Sequence, residues 1–165
     1  MARPSDTALL ARVRRVAARM LGAGRMLATA ESCTGGLIAK CLTDLPGSSA
    51  WVERGWVTYT DRAKREELGV PAAVLKRHGA VSEPVARAMV RGVLRESGAD
   101  VAVGVTGVAG PDGGSAEKPV GTVWIAWAWR DGRRVWVVAR HFLFAGDRDA
   151  VRRQTAAEAL KGLVG

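Results

Sequence analysis

Val101-Ala102-Val103-Gly104-Val105 is a run of small and β-branched residues with no polar member. Such a run reads as a strand buried on both faces. A Gly- and Pro-rich loop follows at 107–119 (GVAGPDGGSAEKP). Two further strands come next, about 121–129 and 134–143, with Asp131-Gly132 as the hairpin turn. Upstream, Met26-Leu27-Ala28-Thr29-Ala30 is a short buried strand, and residues 51–59 (WVERGWVTY) have the aromatic and β-branched content of another. Helices separate the early strands, whereas the last two are joined by a tight turn. This predicts a mixed sheet in a three-layer α/β/α sandwich, built as a single domain over 1–165.

The helices are legible from apolar spacing. Leu9, Leu10, Val13, Val16, Ala17, Met20 and Leu21 recur every three or four residues, which predicts a helix over 6–21. Ser5 or Asp6 can cap its start and Gly22 or Gly24 its end. Further helices are expected at about 35–43, 61–68, 71–78, 83–97 and 147–163, with Pro84 in the first turn of its helix, where a missing N–H costs little. Trp124, Trp127, Trp129 and Trp136 are expected on or beside the sheet, in the core or on a dimer surface rather than as base-stacking platforms.

The chain has 165 residues and a formal charge of +9. Twenty of its 25 cations are Arg. The excess is not spread evenly: residues 1–25 carry net +5, residues 130–165 net +4, and residues 26–129 net zero. A pI near 10.7 raises the prospect of a nucleic-acid partner. The position of the charge speaks for solvated faces of terminal helices instead, and no nucleic-acid partner is expected. No apolar run reaches membrane-span length, and the opening residues show no apolar signal segment. Cys33 and Cys41 form no disulfide framework, which fits a reducing cytoplasm. His78 and His141 are 63 residues apart and lack metal-ligand spacing, so neither a metal nor a cofactor is expected.

Three segments can carry chemistry. Thr29 to Gly36 (TAESCTGG) places Ser32 and Cys33 at a strand-to-helix turn, where backbone N–H groups favour developing negative charge. Ser and Thr there are also ordinary helix caps. Either Ser32 or Cys33 can be a nucleophile, the latter as a thiolate activated by the helix N-terminus. In Tyr59-Thr60-Asp61-Arg62-Ala63-Lys64, Lys64 can act as a base if burial or the cations Arg62 and Arg65 depress its pKa. The loop Thr106 to Gly114 can bring its backbone close to an anion, but it matches neither a P-loop nor a dinucleotide fingerprint.

Five stretches in order, TAESCTGG (29–36), LPGSSAWVERGWVTYTDRAK (45–64), LGVPAAVLKRHGAVSEPVA (68–86), GVTGVAGPDGGSAEKPVGTVW (104–124) and FAGDRDAVRRQTA (144–156), closely resemble the C-terminal domain of the CinA family. That domain also occurs free-standing, as nicotinamide-nucleotide amidohydrolases of the PncC type. The resemblance spans about residues 7 to 163. It implies the α/β/α fold, and hydrolysis of nicotinamide mononucleotide to nicotinate mononucleotide and ammonia in pyridine nucleotide salvage. It also implies no required metal, and a homodimer or higher homo-oligomer. By that resemblance Ser32 is the nucleophile and Lys64 its base, with Tyr59 orienting Lys64 or stacking on the substrate ring. Asp61 stands where the family usually has Asn, and its charge tends to raise the Lys64 pKa.

Around this pair, the expected substrate-binding residues are Glu31 together with Cys33, Thr34, Gly35 and Gly36, the N–H groups of the 33–36 turn being those that would hold an oxyanion. Candidate anion sites are Ser48 and Ser49, the loop residues Thr106, Gly107, Ala109 and Gly110, and Arg148. The N-terminal domain of full-length CinA proteins has no counterpart in this sequence. The family's name also leaves a second reading, a non-catalytic competence- or DNA-damage-associated binding or regulatory protein. Such a protein would bind DNA with a steep salt dependence.

Overall fold

A computed structural model describes residues 3–165. The run 101–105 is the buried part of a strand, β3 (Val101–Gly107). In chain order the elements are α1 (Asp6–Ala23), β1 (Leu27–Glu31), α2 (Leu37–Thr43), β2 (Val52–Val57), α3 (Asp61–Leu68), α4 (Ala72–His78) and α5 (Glu83–Glu96). After β3 come β4 (Thr122–Asp131), β5 (Arg134–Leu143) and α6 (Arg148–Gly162). A short 3-10 turn, Ser48–Ala50, precedes β2. Ser5 caps α1, its Oγ accepting from Ala8 N–H, and Gly24 ends it in the left-handed conformation. The β4–β5 turn falls one residue later than expected: Asp131 pairs with Arg134, so its central residues are Gly132 and Arg133.

The sheet order is β2-β1-β3-β4-β5. β1 pairs in parallel with both β2 and β3, whereas β3–β4 and β4–β5 are antiparallel. This is the expected mixed sheet. Helices α1, α2 and α6 cover one face, and α5, backed by α3 and α4, covers the other. Long crossovers permit the parallel pairs, and the two-residue turn makes β4–β5 antiparallel.

Strand alternation gives the two faces different sizes. Leu27, Val101, Val103, Val105, Val123, Ile125 and Trp127 point towards α1 and α6. Ala28, Ala30, Ala102, Ala126 and Ala128 point towards α5. The helices compensate in reverse. The Ala-rich α6 meets the large side chains, and Trp127 Nε1 donates to Ala159 O at 2.9 Å. The bulkier α5, with Val85, Met89, Val90, Val93 and Leu94, meets the alanine face. Each such large apolar side chain contributes about 1.5–3 kcal/mol on burial. Of the four tryptophans on β4 and β5, Trp127 is buried, Trp124 leans on His141 at 5.2 Å between ring centroids, and Trp136 is 48% exposed.

The close approach extends one layer outward. Gly92 of α5 lies against the main-chain carbonyl of Leu68, so a Cβ there would collide with backbone. We expect Gly92→Ala to lose about 2 kcal/mol by forcing α3 away from α5. That corresponds to a melting temperature about 4–8 °C lower, measured by thermal denaturation.

Candidate active site

In an open α/β sheet, ligand sites form beyond the carboxyl ends of the parallel strands, where the crossovers leave on opposite faces. Here α2 connects β1 to β2 over one face, and α3–α5 connect β2 to β3 over the other. Ser32 follows β1, Tyr59 lies just beyond β2 and Gly107 ends β3. They open onto a cleft of about 280 Å³.

Lys64 enters this cleft from α3. Thr60 caps that helix, its Oγ1 accepting from Ala63 N–H at 3.1 Å. Lys64 and Leu68 are one turn apart, so both face inward, and Lys64 is only 1% exposed. Its Nζ lies 3.0 Å from Ser32 Oγ. It also lies 2.9 Å from the Thr58 carbonyl and 3.4 Å from the Tyr59 carbonyl. Burial pushes the Lys64 amine below the ordinary lysine value, while the Asp61 carboxylate opposes the shift without overcoming it. Arg62, one of the cations expected to depress it, points outward to Glu66 at 2.7 Å. Desolvation does that work instead.

The turn that carries Ser32 is held from beneath. Glu31 is fully buried. Its Oε1 accepts from Thr34 Oγ1 at 2.6 Å and Ile38 N–H at 2.8 Å, and its Oε2 from Ala39 N–H at 2.9 Å. This carboxylate therefore binds the N-terminal turn of α2 and does not line the cleft, contrary to its expected role as a substrate contact. Gly35 and Gly36 have positive φ values of 58° and 97°, which fit the tight reversal into α2. Gly35 N–H donates to Ser32 O at 3.0 Å. Among the described residues, the N–H groups of Cys33, Thr34 and Gly36 donate to no main-chain acceptor, and of these three residues Cys33 lines the cleft.

The other predicted residues separate clearly. Cys33, Thr106, Gly107, Ala109, Gly110 and Arg148 line the cleft with Ser32, Tyr59 and Lys64. The Tyr59 side chain is 54% exposed and reaches Lys64 through its carbonyl rather than its ring. Its hydroxyl accepts from Arg148 Nη2 at 2.7 Å, and Arg148 Nη1 donates to Gly110 O at 2.7 Å. Arg148 thus bridges the β2 end and the glycine loop. Thr106 Oγ1 donates to Ala80 O at 2.9 Å, tying that loop to the segment before α5. Thr34, Gly35 and Gly36 stand behind the rim. Ser48 and Ser49 are a correction: they precede β2, beside Trp51, whose carbonyl accepts from Leu27 N–H at the opposite end of the sheet. A Gly-Ser-Ser string looks like an anion loop, but strand direction puts it at the wrong edge.

Several residues were not legible from spacing. Ala80, Val81, Val108 and Asp112 complete the lining. Arg152 of α6 donates from Nη2 to Thr34 O at 2.8 Å and so pins the turn from across 118 residues of chain. Its i+4 relation to Arg148 on α6 was the available signal. Among the described residues, no three His, Cys, Asp or Glu side chains gather in a metal-binding group.

Burial drives the Cys33 thiol up to about 12, with the Glu31 carboxylate reinforcing the shift. A thiol of this kind is protonated at neutral pH and inert. We expect Cys33 in the folded protein to resist alkylation by iodoacetamide at pH 8 and to react fully after denaturation, as read by intact-mass spectrometry. Glu31→Gln should replace one accepting oxygen by a second donor facing N–H or hydroxyl groups. The expected loss is about 1–3 kcal/mol of stability in a denaturant titration.

Three kinds of comparison agree. The family model for the CinA C-terminal domain matches residues 10–165. The nicotinamide-nucleotide amidohydrolase PncC of Escherichia coli K12 is 51% identical over 159 residues, covering 96% of this chain and 94% of that protein. The protein of the same name from Pseudomonas putida is 59% identical over 136 residues, 82% of each chain. A CinA-like protein of Akkermansia muciniphila is 61% identical over 137 residues, and the match spans only 32% of its length. Among solved structures, the competence/damage inducible protein CihA of Agrobacterium tumefaciens superposes with a TM-score of 0.92 at 45% identity, covering 99% of this chain and 97% of that one. A CinA superfamily protein of Klebsiella pneumoniae gives 0.89 at 40% identity, covering 94% and 95%. The fold, the order of the motifs and these matches together make this chain a member of the CinA C-terminal domain family.

Proposed function

We propose that this protein hydrolyses the carboxamide of nicotinamide mononucleotide to nicotinate mononucleotide and ammonia, with Ser32 as nucleophile and Lys64 as its base. The observation that carries the reading is the 3.0 Å contact between Lys64 Nζ and Ser32 Oγ, both within the cleft. The names and high identity of the amidohydrolase relatives support the substrate.

The chemistry follows from the arrangement. A neutral Lys64 amine can donate its two N–H groups to the Thr58 and Tyr59 carbonyls, which leaves its lone pair facing Ser32 Oγ. It takes the hydroxyl proton as Oγ attacks the amide carbon and forms a tetrahedral adduct. We assign the oxyanion to N–H groups of the 33–36 turn that lack a main-chain partner, foremost that of Cys33, which lines the cleft. The resulting Lys64 ammonium returns its proton to the leaving nitrogen, the C–N bond breaks to release ammonia and leave the acyl-enzyme, and Lys64 activates the water that releases the acid. The substrate's pyridinium charge makes the carboxamide more electrophilic. Arg148, at the rim, is the cation we assign to the 5′-phosphate. Turning towards that phosphate would cost it the Tyr59 or Gly110 hydrogen bond.

The deciding assay is ammonia release from nicotinamide mononucleotide. Ser32→Ala and Lys64→Gln should each lower kcat by about a thousandfold or more, whereas Cys33→Ala should keep most activity. Loss of turnover in Cys33→Ala alone would reverse the nucleophile assignment.

The pH profile carries the sign of the Lys64 shift. The base is needed neutral, so kcat/KM should fall as pH drops through the Lys64 pKa. That limb should lie below 10.5, the ordinary lysine value. Asp61 raises the Lys64 pKa. Asp61→Asn should therefore move the acid limb to lower pH, and an upward move would contradict the assignment.

A further inference from the structure

Away from the cleft, four arginines from two elements line a single groove. The C-terminal half of α5 and the β4–β5 hairpin border a groove of about 420 Å³. Arg91, Arg95, Arg130 and Arg133 line it, with Leu94 and Val135 as its apolar part. Arg91 and Arg95 are one helical turn apart and share a face, Arg130 lies near the end of β4, and Arg133 is in the hairpin turn.

Neutralisation of these four cations is slight. Arg95 meets Glu96 at 2.8 Å. Among the described residues, Arg91, Arg130 and Arg133 form no ion pair, and neither does Asp131 beside them. Two of the guanidiniums are nevertheless held in place. Arg95 Nη2 donates to Leu68 O at 2.6 Å, and Arg130 Nη2 donates to Leu94 O. Each keeps further N–H donors free, because a guanidinium has five.

Like charges in one groove repel unless an anion joins them. Planar guanidinium forks match phosphate oxygens in pairs. Val135, 37% exposed at the edge of the groove, offers an apolar surface for the face of a ring. A groove of this volume holds one small molecule, whereas a duplex would need an extended basic track. We propose that this groove is a second ligand site, separate from the cleft, which binds a nucleoside di- or triphosphate through its phosphates. The segment at Ala80 and Val81 that lines the cleft leads directly into α5, whose other end forms this groove, so one rigid helix connects the two sites.

Isothermal titration calorimetry tests the site with adenosine triphosphate, inorganic pyrophosphate and a short DNA duplex as probes. Arg91 and Arg133 are exposed, so an Arg91→Ala/Arg133→Ala variant should keep the wild-type melting temperature and basal turnover. Adenosine triphosphate should bind wild type and Arg148→Ala alike. Its Kd should rise at least about tenfold in the double variant, the loss expected for two charge-assisted contacts. Pyrophosphate should bind more weakly than the nucleotide. Three results would overturn the proposal: no nucleotide binding to wild type, equal binding to the double variant, or loss of binding in Arg148→Ala alone, which would place the anion in the cleft. Pyrophosphate binding as tight as that of adenosine triphosphate would remove the nucleotide assignment. Tighter binding of the duplex would replace it with a nucleic-acid surface.

Discussion

The site depends on one costly act, the burial of a lysine amine. An ammonium withdrawn from water is penalised heavily, and the protein relieves the cost by lowering the pKa rather than by supplying a carboxylate. Lys64 is 1% exposed, and its Nζ neighbours are a hydroxyl and two carbonyls. Asp61 is close enough to act on it but sits in the exposed first turn of α3. A carboxylate in direct contact would have kept Lys64 charged. The carbonyls instead orient it and leave its basicity to be set by desolvation.

Holding that amine against Ser32 requires α3 and the end of β1 to keep their distance to a fraction of an ångström. The sheet's unequal faces supply the rigidity. Small residues at Ala28, Ala30, Ala102, Ala126 and Ala128 let α5 settle close to the sheet, and Gly92 lets Leu68 of α3 settle close to α5. Lys64 is one turn from Leu68, so the same packing that seats the leucine also seats the amine. Core packing and site geometry are in this sense one constraint.

The turn after β1 shows a related division of labour. Glu31, Ser32 and Cys33 are adjacent in sequence, yet they have three different surroundings. The Glu31 carboxylate is spent on Thr34 and the α2 N–H groups, Ser32 faces the cleft, and the Cys33 thiol is buried towards the core. Strand alternation and the tight turn decide which of the three meets Lys64. Arg152 and Arg148, one helical turn apart on α6, then brace the turn and the cleft rim from the opposite side of the chain.

Local pattern was enough for much of this. The apolar run at 101–105, the helical spacing in 6–21 and the two strands flanking Gly132 determined the element order, and the long crossovers with one short turn determined a mixed sheet. Ser32 at a strand-to-helix turn and Lys64 in an early helical turn were also visible, as residue types at suitable places. What tertiary structure decided was direction and depth. Ser48 and Ser49 looked like an anion loop until strand polarity put them at the far edge. Glu31 looked like a substrate contact until its three hydrogen bonds turned it inward. Cys33 rivals Ser32 by sequence position, and only the fold shows the burial that raises its thiol to about 12. For the Lys64 shift the sequence left burial and the cations Arg62 and Arg65 as alternatives, and the fold supplies burial. Sequence periodicity reports which residues share a face, because that is a property of local backbone geometry. Solvent exclusion and contacts between distant segments are set only when the layers close, and it is these that make an ordinary lysine into a candidate base.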